Sequence, residues 1–290
     1  MKIAYLILAH KYPQQLFRLL QGLQTQQTSF FIHIDRKVEN STYYQIVEQL
    51  RGIENVHFLK RYPCFWGHFN LVKATLEGIR YIINLGVDFD YAVLLSGQDY
   101  LIKPTTYIEE FFTKHKGNQF LEFFPIHAPN KWTNNRDYYQ AFKRICHWHF
   151  RFRSKHFYLP IQRNFPKGFE PYGGSQWWCL SRECLEYINT IVHQKSWPID
   201  YFKYVLIPDE IFFQTLILNS PFKEQVINDD LRYTDWENPN PNVPATLVKT
   251  DFEKLAKSPK LFARKFDMNR DAEIFDLLDR QLLTPNPENC

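Results

Sequence analysis

Short apolar runs alternate with amphipathic segments along the first hundred residues of the chain. The apolar runs are IAYLILA at 3–9, FFIHID at 30–35, VHFL at 56–59 and YAVLLSG at 91–97. Such runs are typical of strands that are buried on both faces of a parallel sheet. Between them, apolar residues recur at helical spacing at 16–23, about 43–51 and 71–83. The alternation predicts an α/β fold with a mostly parallel central sheet.

Three of the predicted strands end in polar residues. These ends are Ala9-His10, Asp35-Arg36-Lys37 and Gly97-Gln98-Asp99. In open α/β sheets, ligands bind beyond the carboxyl ends of the strands. We therefore expect a binding site at this edge of the sheet.

The second half of the chain has a less regular pattern. We expect helices at about 181–194, 209–218 and 271–284, and the prolines in WENPNPNVP at 236–244 predict a loop. The sequence contains no internal repeat and no long linker. A single domain over residues 1–290 is therefore predicted.

Glycine is scarce in this chain. There are 10 glycines in 290 residues, whereas average usage of about 7% gives roughly 20. The patterns G-x-G-x-x-G, G-x-x-x-x-G-K-[ST] and G-x-S-x-G do not occur. If the protein binds a nucleotide, side chains must therefore contact the phosphates in place of a glycine-rich loop.

Charge and cysteine content narrow the class of protein further. The net charge of +4 is small and dispersed, which gives no indication of nucleic-acid binding. No apolar run reaches the roughly 18 residues of a membrane span, and residues 1–9 are better interpreted as a buried strand than as a signal sequence. The five cysteines form no C-x-x-C pair, which favours a reducing compartment over a disulfide framework or a thiolate zinc site.

Asp88 and Asp90 form a D-x-D pair, a pattern that can hold a divalent cation and through it a diphosphate. The pair precedes the predicted strand at 91–97, so it lies at the end of the sheet away from the expected site. We interpret it as a solvated strand entry and expect no metal site.

Asp209 and Glu210 stand at the predicted start of a helix, in the sequence IPDEIFFQTLIL. Acidic residues in a first turn often serve as caps, because the helix dipole favours negative charge there. A carboxylate beside aromatic residues can equally serve as a general base. The spacing alone leaves both interpretations open.

Arg264 and Lys265 lie between apolar residues in LFARKFD. A solvated surface pair is the common outcome for adjacent cations. Alternatively, the arginine fork and the lysine point charge could together neutralise a diphosphate without a metal. The lack of glycine-rich loops and metal ligands favours this pair as the place for phosphate binding.

Several aromatic residues have two interpretations. Trp177, Trp178 and Trp236 could stack on a sugar or pack in the core. The run HWHFRFR at 147–153 predicts a strand with Trp148, Phe150 and Phe152 on one face and His147, His149, Arg151 and Arg153 on the other. That strand is either a half-buried element or a binding surface for an anionic acceptor or a membrane. The two histidines lack a ligand set for zinc.

Taken together and in order, eight motifs resemble a known family. They are IAYLILAH, FFIHIDRK, WGHFNLVKATL, LLSGQDYLIK, YGGSQWWCLSRE, IPDEIFFQTLILNSP, LRYTDW and LFARKFD. The series resembles the core-2/I-branching β-1,6-N-acetylglucosaminyltransferase and peptide O-xylosyltransferase family (glycosyltransferase family 14-like). The similarity runs from about residue 3 to residue 280, nearly the whole chain.

The resemblance implies a GT-A-type nucleotide-sugar transferase fold that inverts the anomeric centre without a metal or other cofactor. It assigns about 1–120 to nucleotide binding and about 121–290 to acceptor binding and catalysis. Glu210 is implied as the catalytic base. The donor-binding residues that it implies are His10, Asp35, Trp66, Arg264 and Lys265. The acceptor-binding residues that it implies are Glu122, Lys131, Arg136 and Trp236.

The chain also departs from the family pattern. The branching enzymes carry a further arginine about twenty residues before the motif that holds Lys265, where this chain offers only Lys249. The disulfide-forming cysteines of Golgi relatives are not evident, nor is a membrane anchor or stem. These departures predict a bacterial cytoplasmic enzyme, with peripheral contact at the inner face of the membrane as an option.

The expected activity is transfer of a sugar from a UDP-sugar to a hydroxyl of a glycan or glycolipid acceptor, forming a β linkage in surface-polysaccharide synthesis. GlcNAc is the first choice of sugar, and xylose, glucose and galactose are alternatives. A non-catalytic glycan-binding module with the same fold is a second hypothesis. Nucleic acid is not an expected partner, and the oligomeric state is left open.

Overall fold

A computed structural model describes residues 1–133, 139–152, 155–237 and 243–284. The strands are β1 (Ile3–Ala9), β2 (Thr28–Ile34), β3 (Val56–Phe58), β4 (Tyr91–Ser96), β5 (Asp99–Leu101), β6 (Gln119–Pro125), β7 (His147–Phe152), β8 (Lys155–Gln162), β9 (Tyr172–Ser181), β10 (Val226–Ile227), β11 (Arg232–Thr234) and β12 (Phe262–Arg264). The α-helices are α1 (Pro13–Leu23), α2 (Asn40–Leu50), α3 (Asn70–Leu85), α4 (Thr105–Lys114), α5 (Tyr139–Cys146), α6 (Arg182–Gln194), α7 (Trp197–Phe202), α8 (Phe212–Leu218), α9 (Phe252–Lys257) and α10 (Glu273–Leu278).

These elements form two compact units that interleave along the chain. Unit 1 comprises Met1–Arg61, Val87–Lys116 and Leu231–Cys290. Unit 2 comprises Tyr62–Gly86 and Gly117–Asp230. The assignment of the two halves of the sequence to nucleotide and acceptor stays a prediction.

Unit 1 contains a parallel sheet in which the strands follow the order β4-β1-β2-β3. All seven residues of β1 are buried, as are the six of β4, because β1 has a neighbour on each side and every residue of both strands is apolar except Ser96. Beside this sheet, β12 pairs in parallel with β11 and antiparallel with β5. The second pairing sets Arg264 opposite Asp99.

Unit 2 contains the strands β10, β6 and β9, in which β6 runs parallel to β10 and antiparallel to β9. A separate antiparallel hairpin joins β7 and β8. Helix α6 is capped by Ser181, whose side chain accepts a hydrogen bond from the backbone N–H of Cys184. The predicted α/β class, with a mostly parallel sheet flanked by helices, is confirmed.

Two of the predicted helices are each broken into shorter pieces. The segment expected as a helix at 209–218 is a 3₁₀ turn at Pro208–Glu210 followed by α8. The break lies at Ile211, between the turn and α8, where the backbone angles are outside the helical region. The expected terminal helix at 271–284 is α10 followed by a π-helical turn at Asp279–Leu283.

Two findings concern the environment of the chain. Within the described ranges, no helix combines the length and apolar character that crossing a bilayer requires. Cys146, Cys179 and Cys184 are buried, whereas Cys64 is partly exposed.

Candidate functional site

Unit 1 brings the three polar strand ends to one edge of its sheet. The strands β1, β2 and β4 are parallel neighbours, so their carboxyl ends meet. The backbone N–H of Asp35 donates to the carbonyl oxygen of Ala9 over 2.8 Å. A Cβ on Gly97 would lie 3.4 Å from the Cβ of Ala9, so a small residue suits this crowded position.

Asp35 is held in a fixed orientation at the end of β2. Its side chain is buried, and Oδ1 accepts a hydrogen bond from the backbone N–H of Lys37 over 2.8 Å. The ammonium group of Lys37 lies 3.5 Å from Oδ2. Arg61 donates to the carbonyl oxygens of Asp35 and Val38 over 3.1 and 2.7 Å, which fixes the loop that follows the strand.

His10 follows β1 in an electropositive environment. Desolvation and the charge of Lys11 lower the pKa of His10, with smaller contributions from Lys37 and Lys265 that Asp35 opposes. The imidazole is therefore biased toward its neutral form, which can donate and accept a hydrogen bond at the same time.

Arg264 is oriented by a buried carboxylate. Its Nε donates to Oδ1 of Asp99 over 3.0 Å, and Asp99 is completely buried. Asp99 also accepts hydrogen bonds of 2.9 Å from the backbone N–H and the hydroxyl group of Ser96. The guanidinium group is thus fixed at the end of β12 by a partner that is itself fixed at the end of β4.

Lys265 follows Arg264 through a cis peptide bond and is half-buried. Desolvation is the main cause that lowers the pKa of Lys265, followed by the charges of Arg264 and Lys11. In the part of the chain that the structure describes, its ammonium group forms no ion pair with a carboxylate. Nearby, Lys11 donates to the hydroxyl group of Tyr12, which donates to Asp267 over 2.5 Å. Lys249, by contrast, is paired with Glu273 at 2.6 Å.

In unit 2, a tight turn presents Asp209 and Glu210. Ile207, which precedes the turn, has φ 54° and ψ 56°, a left-handed conformation that is rare for a β-branched residue. Its backbone N–H donates to the carbonyl oxygen of Gly67 over 3.1 Å, and its carbonyl oxygen accepts from the N–H of Glu210 over 3.3 Å. Strained conformations of this kind persist where surrounding contacts fix them, and they are common at functional sites.

The carboxylate of Glu210 remains partly accessible, with about a third (32%) of the side chain exposed. Its Oε2 accepts a hydrogen bond of 3.3 Å from Nη1 of Arg144, and the guanidinium group of Arg144 lies 4.0 Å from the centre of the Trp132 ring. Desolvation raises the pKa of Glu210, and the charges of Arg144 and Lys131 partly offset that effect. A raised pKa strengthens a carboxylate as a proton acceptor near neutral pH.

Asp209 has a different environment. It is buried, and desolvation, followed by the charge of Glu210, raises its pKa to about 8. Its Oδ1 has no hydrogen-bond partner among the described residues. Residue Ile211 occupies the N-cap of α8, and no side chain caps that helix. The geometry therefore does not support the capping interpretation of Asp209 and Glu210.

Glu122 and Lys131 form an ion pair close to this turn, since both contribute to the electrostatic environment of Glu210. Glu122 lies on β6 and Lys131 on the 3₁₀ turn Lys131–Thr133. The third implied acceptor residue, Arg136, lies outside the described residues.

Two glycines make this arrangement sterically feasible. A Cβ on Gly173 would lie 2.7 Å from the Trp132 ring, and a Cβ on Gly174 would collide with the carbonyl oxygen of Glu122. Gln214 closes the same region, because its Nε2 donates to the carbonyl oxygen of Ser175 over 2.5 Å and to that of Glu122 over 3.4 Å. The glycine pair of YGGSQWW thus allows Trp132 and β6 to approach β9.

The structure separates the aromatic candidates. Trp177 and Trp178 are buried, so the core interpretation is correct for them and sugar stacking is not. Trp236, in unit 1, is 52% exposed, and Trp66, in unit 2, is 69% exposed with His156 edge-on at 6.0 Å. Both tryptophans are accessible to a ligand.

The D-x-D pair lies at the amino end of β4, as predicted. Asp88 accepts from the ammonium group of Lys2 over 2.5 Å and Asp90 from the backbone N–H of Lys2 over 2.8 Å. Elsewhere in the described ranges, no three His, Cys, Asp or Glu side chains group together as metal ligands.

Sequence reasoning missed Arg144 as the partner of Glu210, and Trp132 as the ring that packs against Arg144. Arg144 stands 66 residues before Glu210 in the chain, so no local pattern links the two. The sequence around Arg144 contains no Asp or Glu. This was the only indication that a carboxylate partner would come from another part of the chain.

Comparison with known proteins supplies further findings. A family model described as "Core-2/I-Branching enzyme" matches residues 3–256. The chain is 27% identical to xylosyltransferase 2 of Mus musculus over 316 residues, covering 99% of this chain and 34% of that protein. It is 24% identical to a xylosyltransferase of Ciona intestinalis over 314 residues, covering 99% of this chain and 35% of that protein. The chain thus spans about a third of the length of these relatives.

A solved structure is also similar. It is that of the galactosyltransferase LgtC in complex with donor and acceptor sugar analogues, at 14% identity and a TM-score of 0.47, covering 98% of each chain.

Proposed function

The chain belongs to the core-2/I-branching enzyme family, and from that membership we propose that it is an inverting, metal-independent glycosyltransferase of the GT-A type. It transfers a sugar from a UDP-sugar to a hydroxyl group of a glycan or glycolipid acceptor, with formation of a β linkage. The observation that carries this proposal is the Glu210 carboxylate, which is partly accessible, has a raised pKa and is oriented by Arg144.

In the proposed reaction, Glu210 removes the proton from the acceptor hydroxyl group. The hydroxyl oxygen then bonds to the anomeric carbon of the donor from the face opposite UDP. The bond between that carbon and the phosphate oxygen breaks, and its electron pair leaves with UDP. A single displacement of this kind inverts the anomeric centre.

We assign diphosphate binding to Arg264 and Lys265. The guanidinium group of Arg264 is fixed by Asp99 before any ligand arrives, and the ammonium group of Lys265 has no carboxylate partner in the described ranges. Preorganised cations stabilise the charge that develops on a leaving phosphate without a reorganisation cost. Asp35 and His10 are assigned to the nucleotide at the neighbouring strand ends, and Trp66 stays a prediction as a donor-binding residue.

GlcNAc is our first assignment for the transferred sugar, because the family description names the branching enzymes. Xylose is the second, since relatives at 24–27% identity are named xylosyltransferases. Glucose and galactose remain alternatives in the same assay. For the acceptor, we assign Glu122 and Lys131 to sugar contacts, and Trp236 and Arg136 stay predictions.

We further propose that the protein acts in the bacterial cytoplasm on a surface-polysaccharide or lipid-linked precursor. The sequence has five cysteines and no C-x-x-C pair, which supports a reducing compartment.

A direct test measures sugar transfer to a panel of simple glycosides from UDP-GlcNAc, UDP-xylose, UDP-glucose and UDP-galactose, with EDTA present. One donor should be used, and proton NMR should show a β linkage in the product. Glu210→Gln should lower turnover about 10²- to 10⁴-fold, because a general base contributes on that scale. It should leave UDP-induced thermal stabilisation unchanged.

Glu170→Gln, an exposed change in the same unit, is the matched control and should behave like wild type. Near-wild-type turnover by Glu210→Gln would refute the assigned mechanism. Glycan binding without any stabilisation by UDP or a UDP-sugar would favour the non-catalytic module instead.

A further inference from the structure

The hairpin formed by β7 and β8 carries apolar side chains on its surface. We call Phe150, Phe157, Leu159 and Ile161 the hairpin patch; their exposed fractions are 41, 49, 44 and 61%. Phe150 pairs directly with Phe157 across the two strands, and Leu159 and Ile161 follow Phe157 at two-residue spacing. Because side chains alternate across a strand, Phe150, Phe157 and Leu159 lie on one face. Ile161 follows them beyond a shift of the pairing register.

The opposite face of the hairpin contacts the rest of unit 2. The guanidinium group of Arg151 lies 3.7 Å from the centre of the Phe65 ring, and His156 meets Trp66 edge-on. At the outer edge of β7, the backbone N–H of His149 donates to the carbonyl oxygen of Tyr204 over 2.9 Å. These contacts hold β7 against unit 2, while every residue of β8 is exposed.

Positive charge is concentrated around this element. Residues 139–169 contain seven Lys and Arg residues and no Asp or Glu. Arg144, Arg151 and Arg163 pair with Glu210 or stack on aromatic rings, so the exposed lysines supply the charge at the surface. Lys155 stands at the start of β8, and the ammonium group of Lys203 lies over the Tyr204 ring, which in turn contacts Phe150. Exposed cations thus border the apolar residues.

We propose that the hairpin patch inserts into the headgroup region of a bilayer that contains anionic phospholipid. Apolar side chains bordered by lysines are the combination that binds such surfaces, because burial of apolar area and attraction to anionic lipid add together. Leu159 and Ile161 distinguish this ligand from a glycan or a nucleic acid, since an aliphatic side chain offers no flat face on which a sugar ring or a base can stack. The partner is therefore a lipid surface.

This inference concerns where the protein of the proposed function works, but its test is independent of catalysis. The full chain is sedimented with vesicles of phosphatidylcholine alone and with vesicles that also contain phosphatidylglycerol. Binding should require the anionic lipid, and it should weaken when NaCl is raised to about 0.5 M, where screening shortens electrostatic attraction. The triple change Phe157→Ser, Leu159→Ser and Ile161→Ser should reduce binding at least about tenfold.

The matched control is Leu85→Ser, which removes an apolar side chain of 45% exposure at the end of α3, and it should bind vesicles like wild type. Thermal melting and UDP binding show whether the triple variant is folded. If it fails to fold, Lys155→Glu with Lys203→Glu provides the second test, with an expected loss of binding to anionic vesicles only.

Three results would overturn the proposal. The first is equal sedimentation of wild type with and without anionic lipid. The second is unchanged binding by both sets of variants. The third is a dimer in light scattering that the triple change converts to monomer, because the hairpin would then bind a second copy of the chain.

Discussion

Arg144 donates a hydrogen bond to Glu210 over 3.3 Å while its guanidinium group lies 4.0 Å from the Trp132 ring. The ring limits the positions that the guanidinium group can take, and the hydrogen bond passes that restriction on to the carboxylate. Arg144 also opposes the effect of desolvation on the pKa of Glu210. It is a positioning residue that fixes both the direction and the basicity of the proposed base.

Replacing Arg144 should shift the pH dependence of activity. Glu210 must be ionised to accept a proton, so kcat/KM falls as the pH drops through its pKa. Arg144→Met removes a charge that lowers this pKa, so the acidic limb of the pH profile should move to higher pH. Measurement of kcat/KM against pH checks this shift.

In Arg144→Lys the acidic limb should lie between those of Arg144→Met and wild type, because lysine restores the positive charge without the planar guanidinium group. Arg182→Met, which removes the partner of Glu186 on α6, should leave the profile unchanged. If Arg144→Met lowered thermal stability but left the acidic limb of the pH profile in place, the role of Arg144 would be purely structural.

Lys265→Ala should weaken the binding of UDP. Loss of a charge-assisted contact with phosphate costs about 1.5–3 kcal/mol, which corresponds to about a ten- to hundredfold increase in Kd. Titration calorimetry with UDP measures the effect. Lys257→Ala on α9 removes an exposed lysine paired with Glu253 and should leave Kd unchanged. If Lys265→Ala and Lys257→Ala bound UDP with equal affinity, the assignment of Lys265 to the diphosphate would be wrong.

Asp209 should make the protein less stable as the pH rises. The pKa of Asp209 is about 8 in the folded protein, against an ordinary value of 3.8. Between these values the folded state holds a proton that the unfolded state has lost, so stability is full below about pH 4 and declines toward pH 8. Asp209→Asn removes this ionisation and should flatten that decline. Urea unfolding at several pH values measures the free energy of unfolding, and Asp200→Asn on α7 is the control. If that free energy changed with pH equally in wild type and Asp209→Asn, the expectation would be contradicted.

Gly174→Ala should destabilise unit 2. The added Cβ would collide with the backbone carbonyl of Glu122, and overpacking of this kind costs about 3 kcal/mol when backbone must move. Turnover should fall as well, because Glu122 is assigned to the acceptor. Gly52→Ala is the matched control, since nothing lies within 4 Å of its added Cβ, and urea unfolding compares the two. If Gly174→Ala were as stable as Gly52→Ala, the expectation would be wrong, because β6 would then shift to accommodate the added Cβ with no loss of stability.

The regular part of the fold could be predicted from sequence. Strand β1 was predicted with its observed bounds and β4 to within one residue, because a run of apolar residues leaves little choice of structure. The break before α8 could not be predicted in this way. It lies at Ile211, whose backbone angles are outside the helical region. The turn before it begins after Ile207, whose N–H donates to the carbonyl oxygen of Gly67 more than a hundred residues earlier.

The candidate site was predictable in its residue types but not in its pairings. The polar strand ends pointed to Asp35 and His10, because parallel strands bring their carboxyl ends together. The sequence did not reveal that Asp99 would bind Arg264, since that contact depends on the pairing of β5 with β12. The same holds for Trp177 and Trp178, whose burial depends on what covers the two faces of β9.

The pairing of β12 with β5 also constrains the order in which the protein can form. Arg264 and Asp99 are 165 residues apart, and unit 1 draws its last segment from residues after 230. During synthesis, the parallel strands β1, β2 and β4 leave the ribosome long before β12. A nascent chain can therefore build the edge that holds His10 and Asp35 while it still lacks both cations that we assign to the diphosphate, so nucleotide affinity should arise only when synthesis is nearly complete.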